Sequence, residues 1–407
     1  SDVPYLKFIT WEGWFYDYYR VDLNSGKRER IAERIESTTS FSPGGQFVVY
    51  YHNKHWFLVN LKDLSIINLT DDLDVPFDNE DHDYPQPPPG YGVAGWIEKD
   101  QAILIYDKYD VWQFFTNGDD PLCITGGREN ELTFRVKKLD PEKKYFKHDE
   151  TLLLEGYHQK LKYTAVYKSK VGIQGVTKLH KADKKIKILT KAKNNNRLIY
   201  TEQSYKQFPD LRLTDSEFSF SKQLTDANPQ ISELLWGDAE LVEWETEDDI
   251  PLQGVLIKPA NYKPGERYPV LVYYYRLFSQ RLYDFNQPKI NHRPCFPLYT
   301  SNGYAIFLPD IKFTVGDPGS SATKCLVSGV EYLIDEDIAD PDAIGLHGHS
   351  WSGYQTAFVI TETDVFRCAI AGAPVSNMTS AYSGIRWGTG LARQFQYEKS
   401  QSRIGGT

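Results

Sequence analysis

A chain of 407 residues exceeds one ordinary domain, and two is the natural expectation. Its 41% hydrophobic content suffices for sizeable cores, and 28 Tyr, 21 Phe and 9 Trp tilt it toward strands. A formal charge of −9 without basic blocks argues against nucleic acid or anionic membrane as partner; even Lys178 to Lys193 has no interleaved aromatics for base stacking. Cys123, Cys295, Cys325 and Cys368 form no C-x-x-C pair, against a zinc site or disulfide scaffold, and nothing in the chain calls for a metal or cofactor. No run approaches the roughly 18 apolar residues of a membrane span. The chain opens without an initiator methionine, as if already inside a domain, so the expectation is a removed leader or a missing start.

The first part repeats itself. Each unit has an alternating aromatic and β-branched run, a polar turn and a closing pair such as apolar-Thr. One closing, Asp22 to Gly26, leads to Ile31. A second unit opens with Ser42-Pro43-Gly44-Gly45 and closes at Leu69-Thr70; a third runs from Gly95-Trp96 to Ile124-Thr125. A fourth holds Thr151 to Leu154 and closes near Leu179, and a fifth holds Arg197 to Tyr200 and closes at Leu224-Thr225. Intervals of about 40 to 55 residues are those of four-stranded propeller blades, which bury their faces only by stacking on neighbours. The expectation is an incomplete β-propeller over residues 1–235, with a β-sandwich of irregular loops as the alternative.

One loop in this region concentrates carboxylates. Asp71-Asp72-Leu73-Asp74 is followed by Asp78-Asn79-Glu80-Asp81-His82-Asp83 and the stiff Pro85-Gln86-Pro87-Pro88-Pro89. Such a loop can hold a cation or a substrate ammonium, or it is a solvated acidic loop; its spacing does not match a Ca²⁺ loop.

Near Pro229 the texture changes. The strands lengthen from Leu241 onward, as in Pro251 to Ile257, and Val270 to Tyr275 and Tyr304 to Leu308 are apolar runs of the kind buried on both faces of a parallel sheet. Leu326, Val327, Val330, Leu333 and Ile334 have helical spacing. Then Ala343-Ile344-Gly345-Leu346 leads into Gly348-His349-Ser350-Trp351-Ser352-Gly353, and Tyr354, Ala357, Phe358 and Thr361 recur at helical spacing. A strand, a tight serine-centred turn and a helix make a nucleophile elbow, with Ser350 as nucleophile. Gly348 permits the sharp bend, and Ser352 stands where the usual pattern has glycine. Cys368 to Gly372 reads as one more strand. Strands alternating with helices predict an α/β layer over residues 236–407, with its active site at a strand's carboxyl end.

Taken together, the repeats, the elbow, Ala373-Pro374-Val375-Ser376, Tyr268-Pro269 leading to Tyr275, and Ser376-Asn377-Met378-Thr379-Ser380-Ala381-Tyr382 resemble the prolyl oligopeptidase family of serine peptidases. The dipeptidyl peptidase IV-like branch fits best, and the resemblance spans essentially the whole chain. It implies a β-propeller followed by an α/β-hydrolase domain. Ser350 would then attack the scissile carbonyl to form an acyl-enzyme. The Trp351 backbone N–H and the Tyr275 hydroxyl would form the oxyanion hole. Val375 and Tyr382 would line a small pocket for proline or alanine, and Glu80 with Asp81 would hold the substrate's free amino terminus. The resemblance also implies a peptide substrate, a homodimeric full-length parent and periplasmic or secreted location.

There are departures. Arg276-Leu277-Phe278 replaces a frequent Gly-Gly-Pro, and Asp310-Ile311-Lys312-Phe313 replaces Asp-Gly-Arg-Gly. The triad order Ser, Asp or Glu, His requires a histidine after the nucleophile, and none follows Ser350. Asp364 comes too soon after the elbow to serve as the acid; His347 and His349 are too close in sequence to act as base, and His292 comes too early. The expectation is a fragment of a serine exopeptidase, inactive or nearly so by itself and exposing an apolar sheet edge. The alternatives are a non-catalytic binding protein on the same scaffold, or an acyl-peptide hydrolase or esterase.

Overall fold

The computed structural model describes residues 1–9, 11–36 and 39–405. Its first part is a succession of antiparallel sheets in chain order. β1 (Tyr16–Val21) and β2 (Arg28–Ile35) form a hairpin; β3 (Ser40–Phe41), β4 (Phe47–His52), β5 (His55–Asn60) and β6 (Ile66–Asn68) form a four-stranded meander. The next meander comprises β7 (Val93–Ile97), β8 (Ala102–Tyr106), β9 (Val111–Phe115) and β10 (Leu122–Cys123). A fourth sheet follows, formed by β11 (Leu132–Val136), β13 (Thr151–His158), β14 (Thr164–Lys170) and β15 (Ile173–Lys181), while β12 (Tyr145–Phe146) crosses back to pair in parallel with β7. The last meander is β16 (Lys185–Lys191), β17 (Arg197–Gln203), β18 (Asp210–Asp215) and β19 (Lys222–Gln223).

The period-2 alternation of a strand sends successive side chains to opposite faces, and here each face meets a different neighbour. Val48 and Tyr50 pack on Ile31 and Ile35 of the hairpin, whereas Val49 and Tyr51 pack with Trp96, Ile103 and Ile105 of the next sheet. Ala102 and Leu104 turn the other way, onto Leu152, Leu154 and Tyr167. Val166 meets Ile188 and Tyr200 of the last meander. The sheets therefore stack face to face in chain order.

The closing threonines have a local cause. Thr70, Thr125 and Thr225 each accept the backbone N–H 14 positions upstream, from Trp56 (3.1 Å), Val111 (3.0 Å) and Leu211 (2.9 Å). In the latter two the hydroxyl also donates to the preceding aspartate, Asp110 (2.6 Å) or Asp210 (2.7 Å). His55 takes that aspartate's place in the first, 3.2 Å from Thr70. The fourth sheet uses no threonine: near the expected close at Leu179, His180 instead reaches Glu202 of the last meander at 2.7 Å. The Ser42 opening is fastened by Asp100, which accepts from the Ser42 hydroxyl (2.6 Å) and Gly44 N–H (2.8 Å).

The second part is one mixed sheet. Its strands β20 (Asp238–Glu245), β21 (Pro251–Lys258), β22 (Tyr268–Tyr273), β23 (Ala305–Pro309), β24 (Ala339–His349) and β25 (Cys368–Gly372) lie in the order β20-β21-β23-β22-β24-β25. The first three in that order are antiparallel, and β23, β22, β24 and β25 are parallel. The helices are α1 (Phe296–Ser301), α2 (Pro318–Asp335), α3 (Trp351–Glu362), α4 (Met378–Tyr382) and α5 (Gln394–Glu398). The strand runs are unbroken because both faces are covered: Leu256, Phe307 and Leu346 pack with Leu326, Val330 and Val359 of α2 and α3, while Val255, Ile306 and Leu308 pack with Trp236 and Phe296. Each such fully buried side chain contributes roughly 1.5–3 kcal/mol.

Candidate active site

Ser350 stands between β24 and α3 with φ 62° and ψ −115°, a backbone conformation that costs a non-glycine residue about 1–3 kcal/mol. The turn tolerates nothing larger at its flanks. A Cβ on Gly348 would lie 2.1 Å from the Ser352 carbonyl oxygen, and one on Gly353 would lie 2.5 Å from that of Gly372. Ser352, the residue that departs from the usual glycine, is fully buried and makes the turn itself: its hydroxyl accepts from His349 N–H (2.8 Å) and donates to His349 C=O (2.9 Å). Ser350 N–H donates to Gly372 O at 2.8 Å, fastening the elbow to β25, and the Ser350 side chain is exposed.

The parallel strand β22 brings two tyrosines beneath and beside this turn. Tyr274 is fully buried; its hydroxyl donates to Ser352 O and lies 3.0 Å from Thr356 Oγ1, so it fixes the first turn of α3. Burial pushes its phenol above its ordinary range. Sequence reasoning passed over Tyr274, since nothing local separates it from its neighbour. Tyr275, just past β22, faces Ser350: burial pushes its phenol up, and the hydrogen bond with the Ser350 hydroxyl opposes that rise. The Gln401 amide donates to the same phenol oxygen.

Trp351 opens α3, so its N–H belongs to the first turn, whose donors have no partner within the helix. Its ring is 2% exposed and packs on Tyr354 (4.8 Å) and Tyr397 (6.3 Å). Tyr382, on α4, reaches Tyr397 at 6.4 Å and donates its hydroxyl to Glu398. Val375 is half-buried in the segment between β25 and α4. Close contact of Gly353 with Gly372 and Pro374 holds the start of this segment against α3.

The acidic loop is brought to the same place. Arg276, next to Tyr275, donates to Asp81 O (3.1 Å) and Asp83 (2.9 Å). Arg403 pairs with Asp83 at 2.8 Å and lies between the rings of Tyr84 (4.3 Å) and Phe313 (4.4 Å). The Glu80 and Asp81 carboxylates already have cations: Glu80 receives two bonds from Arg128 (2.8 and 3.2 Å), and Asp81 one from Lys108 (2.8 Å).

Both substituted segments fasten the Tyr275 loop. Asp310 is buried, accepts from Ser279 N–H (2.8 Å) and the Ser279 hydroxyl (2.5 Å), and also accepts Phe278 N–H. Burial pushes its carboxyl up despite these bonds. Three histidines gather near the end of β24: the rings of His292 and His349 are 4.3 Å apart, and His347 packs on Tyr273 at 5.5 Å. Burial and the two other histidines hold His347 below its ordinary value. His292, distant in sequence, thus joins the group through its loop. Among the described residues no cluster of three or more His, Cys, Asp or Glu side chains is arranged to hold a metal ion, and no helix is long and apolar enough to cross a membrane.

Comparison with known proteins finds relatives of this region and of the fold. The prolyl oligopeptidase family matches residues 315–402, from the start of α2 past α5. Mouse dipeptidyl peptidase 8 is 29% identical over 155 residues, covering 34% of this chain and 17% of that protein. The fold is similar to that of Porphyromonas gingivalis dipeptidyl peptidase 4, with TM-score 0.61, 16% identity and coverage of 90% of this chain and 53% of that one. Pyrococcus horikoshii acylaminoacyl peptidase gives 0.50, 17%, 92% and 75%. The chain spans about half the length of the P. gingivalis structure and aligns with a smaller share of the mouse protein. Residues 315–402, which hold the Ser350 turn, thus match the prolyl oligopeptidase family, and the chain is similar to its members there.

Proposed function

We propose that this chain carries the nucleophile and oxyanion donors of a serine peptidase of dipeptidyl peptidase type, with stacked propeller blades over residues 1–235 and an α/β-hydrolase domain over 236–407. The observation that carries the reading is Ser350 held exposed at φ 62° in the tight turn between β24 and α3, with the half-buried Tyr275 just past the end of the neighbouring strand β22. Ser350 Oγ attacks the scissile carbonyl. The resulting oxyanion is met by the Trp351 N–H and the Tyr275 O–H, which are fixed before reaction and so stabilise developing charge with little reorganisation. The serine proton passes to the leaving nitrogen, the C–N bond breaks, the amine departs and an acyl-enzyme forms, which water then hydrolyses. Val375 and Tyr382 line the pocket for proline or alanine. Glu80 and Asp81 receive the substrate's amino terminus; the contact of their loop with Arg276 supports this by putting it beside Tyr275.

No histidine follows Ser350 in these 407 residues, so the chain by itself leaves the serine weakly nucleophilic and turns over substrate slowly or not at all. The test is release from a chromogenic Ala-Pro substrate by the protein of the full coding frame, beside its Ser350→Ala variant. Ser350-dependent release supports the peptidase; release that survives Ser350→Ala removes it.

A second reading, hydrolysis of peptides with blocked amino termini, is favoured by the cations already on Glu80 and Asp81. Faster release from N-acetylated than from free Ala-Pro substrate distinguishes it.

A further inference from the structure

The phenol of Tyr275 has one proton and two lone pairs, and a hydroxyl rotor points wherever its partners direct it. As oxyanion donor it must keep that proton for the substrate. In this structure the side-chain amide of Gln401 donates to the Tyr275 oxygen. We propose that Gln401 is a positioning residue: by filling the acceptor side of the Tyr275 hydroxyl, it leaves the O–H free to point at the oxyanion. This rests on the reading of Tyr275 as oxyanion donor.

Gln401 is held independently of Tyr275. Arg403 Nη1 donates to the Gln401 carbonyl at 2.7 Å, and Arg403 is itself 2% exposed, clamped by Asp83, Tyr84 and Phe313. Two residues earlier, Lys399 O accepts Gln86 N–H at 3.0 Å. Both ends of the segment 399–403 are therefore anchored on the acidic loop of the first part. The relay runs from that loop through Arg403 and Gln401 to Tyr275 and Ser350. A side chain fixed in this way orients its partner at smaller entropic cost than a free one.

The experiment follows Tyr275 itself, by ¹³Cζ-tyrosine NMR with the resonance assigned through Tyr275→Phe. An N–H donor stabilises the phenolate more than the phenol. Gln401→Leu is therefore expected to move the Tyr275 titration to higher pH, and Gln401→Glu to move it further because a carboxylate faces the phenol. An unchanged titration in Gln401→Leu overturns the proposal. Should Gln401→Leu fail to fold, Gln401→Asn, one methylene short of the phenol, is expected to show the same direction.

A second readout is the rate at which an alkyl fluorophosphonate modifies Ser350. A P–O bond forms, the P–F bond breaks, fluoride leaves and the serine proton goes to solvent, with the phosphonyl oxygen at the oxyanion position. Tyr275→Phe and Gln401→Leu are each expected to slow modification about tenfold or more, and the double variant to be no slower than Tyr275→Phe, because the two act as one unit. Independent, multiplying losses overturn the proposal. Absence of Ser350 modification in the unaltered protein would sink the peptidase reading alone, and the titration would still decide the role of Gln401.

Discussion

Asp83 and Arg403, 320 positions apart in the chain, form a hydrogen-bonded ion pair 2.8 Å long that fastens the acidic loop of the stacked sheets to the segment behind Tyr275. The two partners are unequally buried: the Arg403 side chain is 3% exposed and that of Asp83 19%. Removing the carboxylate strands a buried guanidinium, which is the costly half of such a break. Asp83→Asn is expected to lower stability by about 3 kcal/mol. Arg403→Met should cost less, because Asp83 keeps Arg276. Urea unfolding of both variants checks this, and equal losses would count against it.

The adjacent tyrosines Tyr274 and Tyr275 are expected to separate stability from chemistry. Tyr274→Phe leaves the Ser352 carbonyl and Thr356 hydroxyl each one partner short inside the core, a loss of about 1–2 kcal/mol. Tyr275→Phe, at a half-buried site, should change stability by less than about 1 kcal/mol while slowing Ser350 modification. The same two measurements on both variants decide the matter; a large stability loss in Tyr275→Phe would contradict the division.

The elbow yields a graded series. Gly348→Ala puts a methyl 2.1 Å from Ser352 O, a clash with backbone that no rotamer relieves, and soluble folded protein is not expected. Ser352→Ala removes both bonds to His349 without a clash and should cost about 1–2 kcal/mol. Expression yield and thermal melts order the two; a folded, stable Gly348→Ala protein would refute the geometry.

The elbow was legible because its signal is local: Gly348, Ser350 and the small Ser352 lie within one turn, flanked by a strand run and a helical run. The repeated sheets were legible for the same reason, since Thr70, Thr125 and Thr225 each close a loop of fixed length on their own meander. What the sequence could not yield is set by tertiary packing. Nothing near Asp83 announces Arg403, and Gln401 resembles any surface glutamine until segment 399–403 is seen anchored on Gln86 and Asp83. Ser352 looked like an imperfection in the motif; its hydroxyl turns out to bridge both backbone groups of His349.

Asp310 makes the Tyr275 loop sensitive to acid. Burial raises its carboxyl in the folded state above the unfolded value, so the native protein binds the proton more tightly. Stability therefore falls as pH rises from the ordinary aspartate range through the raised folded value, and is flat above it. Asp310→Asn keeps an acceptor for the Phe278 and Ser279 N–H groups and removes the titration. The wild-type protein should thus gain stability relative to Asp310→Asn as pH is lowered through that window. Urea midpoints of the two proteins across mildly acidic pH test it; a difference independent of pH would refute it.

At one edge of the second sheet, β25 is open to pairing with another chain. β25 pairs with β24 on one side only among the described residues, and its side chains are largely exposed, with Ile370 at 52%. Such a strand offers a row of free backbone donors and acceptors together with apolar side chains, which is a template for pairing between chains. Charge on the strand opposes that pairing, since two copies would bring like charges together. Ile370→Lys is therefore expected to raise the soluble fraction of the 407-residue chain and its aggregation threshold on concentration, with little change in unfolding midpoint. Static light scattering against concentration distinguishes the two proteins. Equal aggregation would mean that another surface drives association, with Trp387, 93% exposed, the next to substitute.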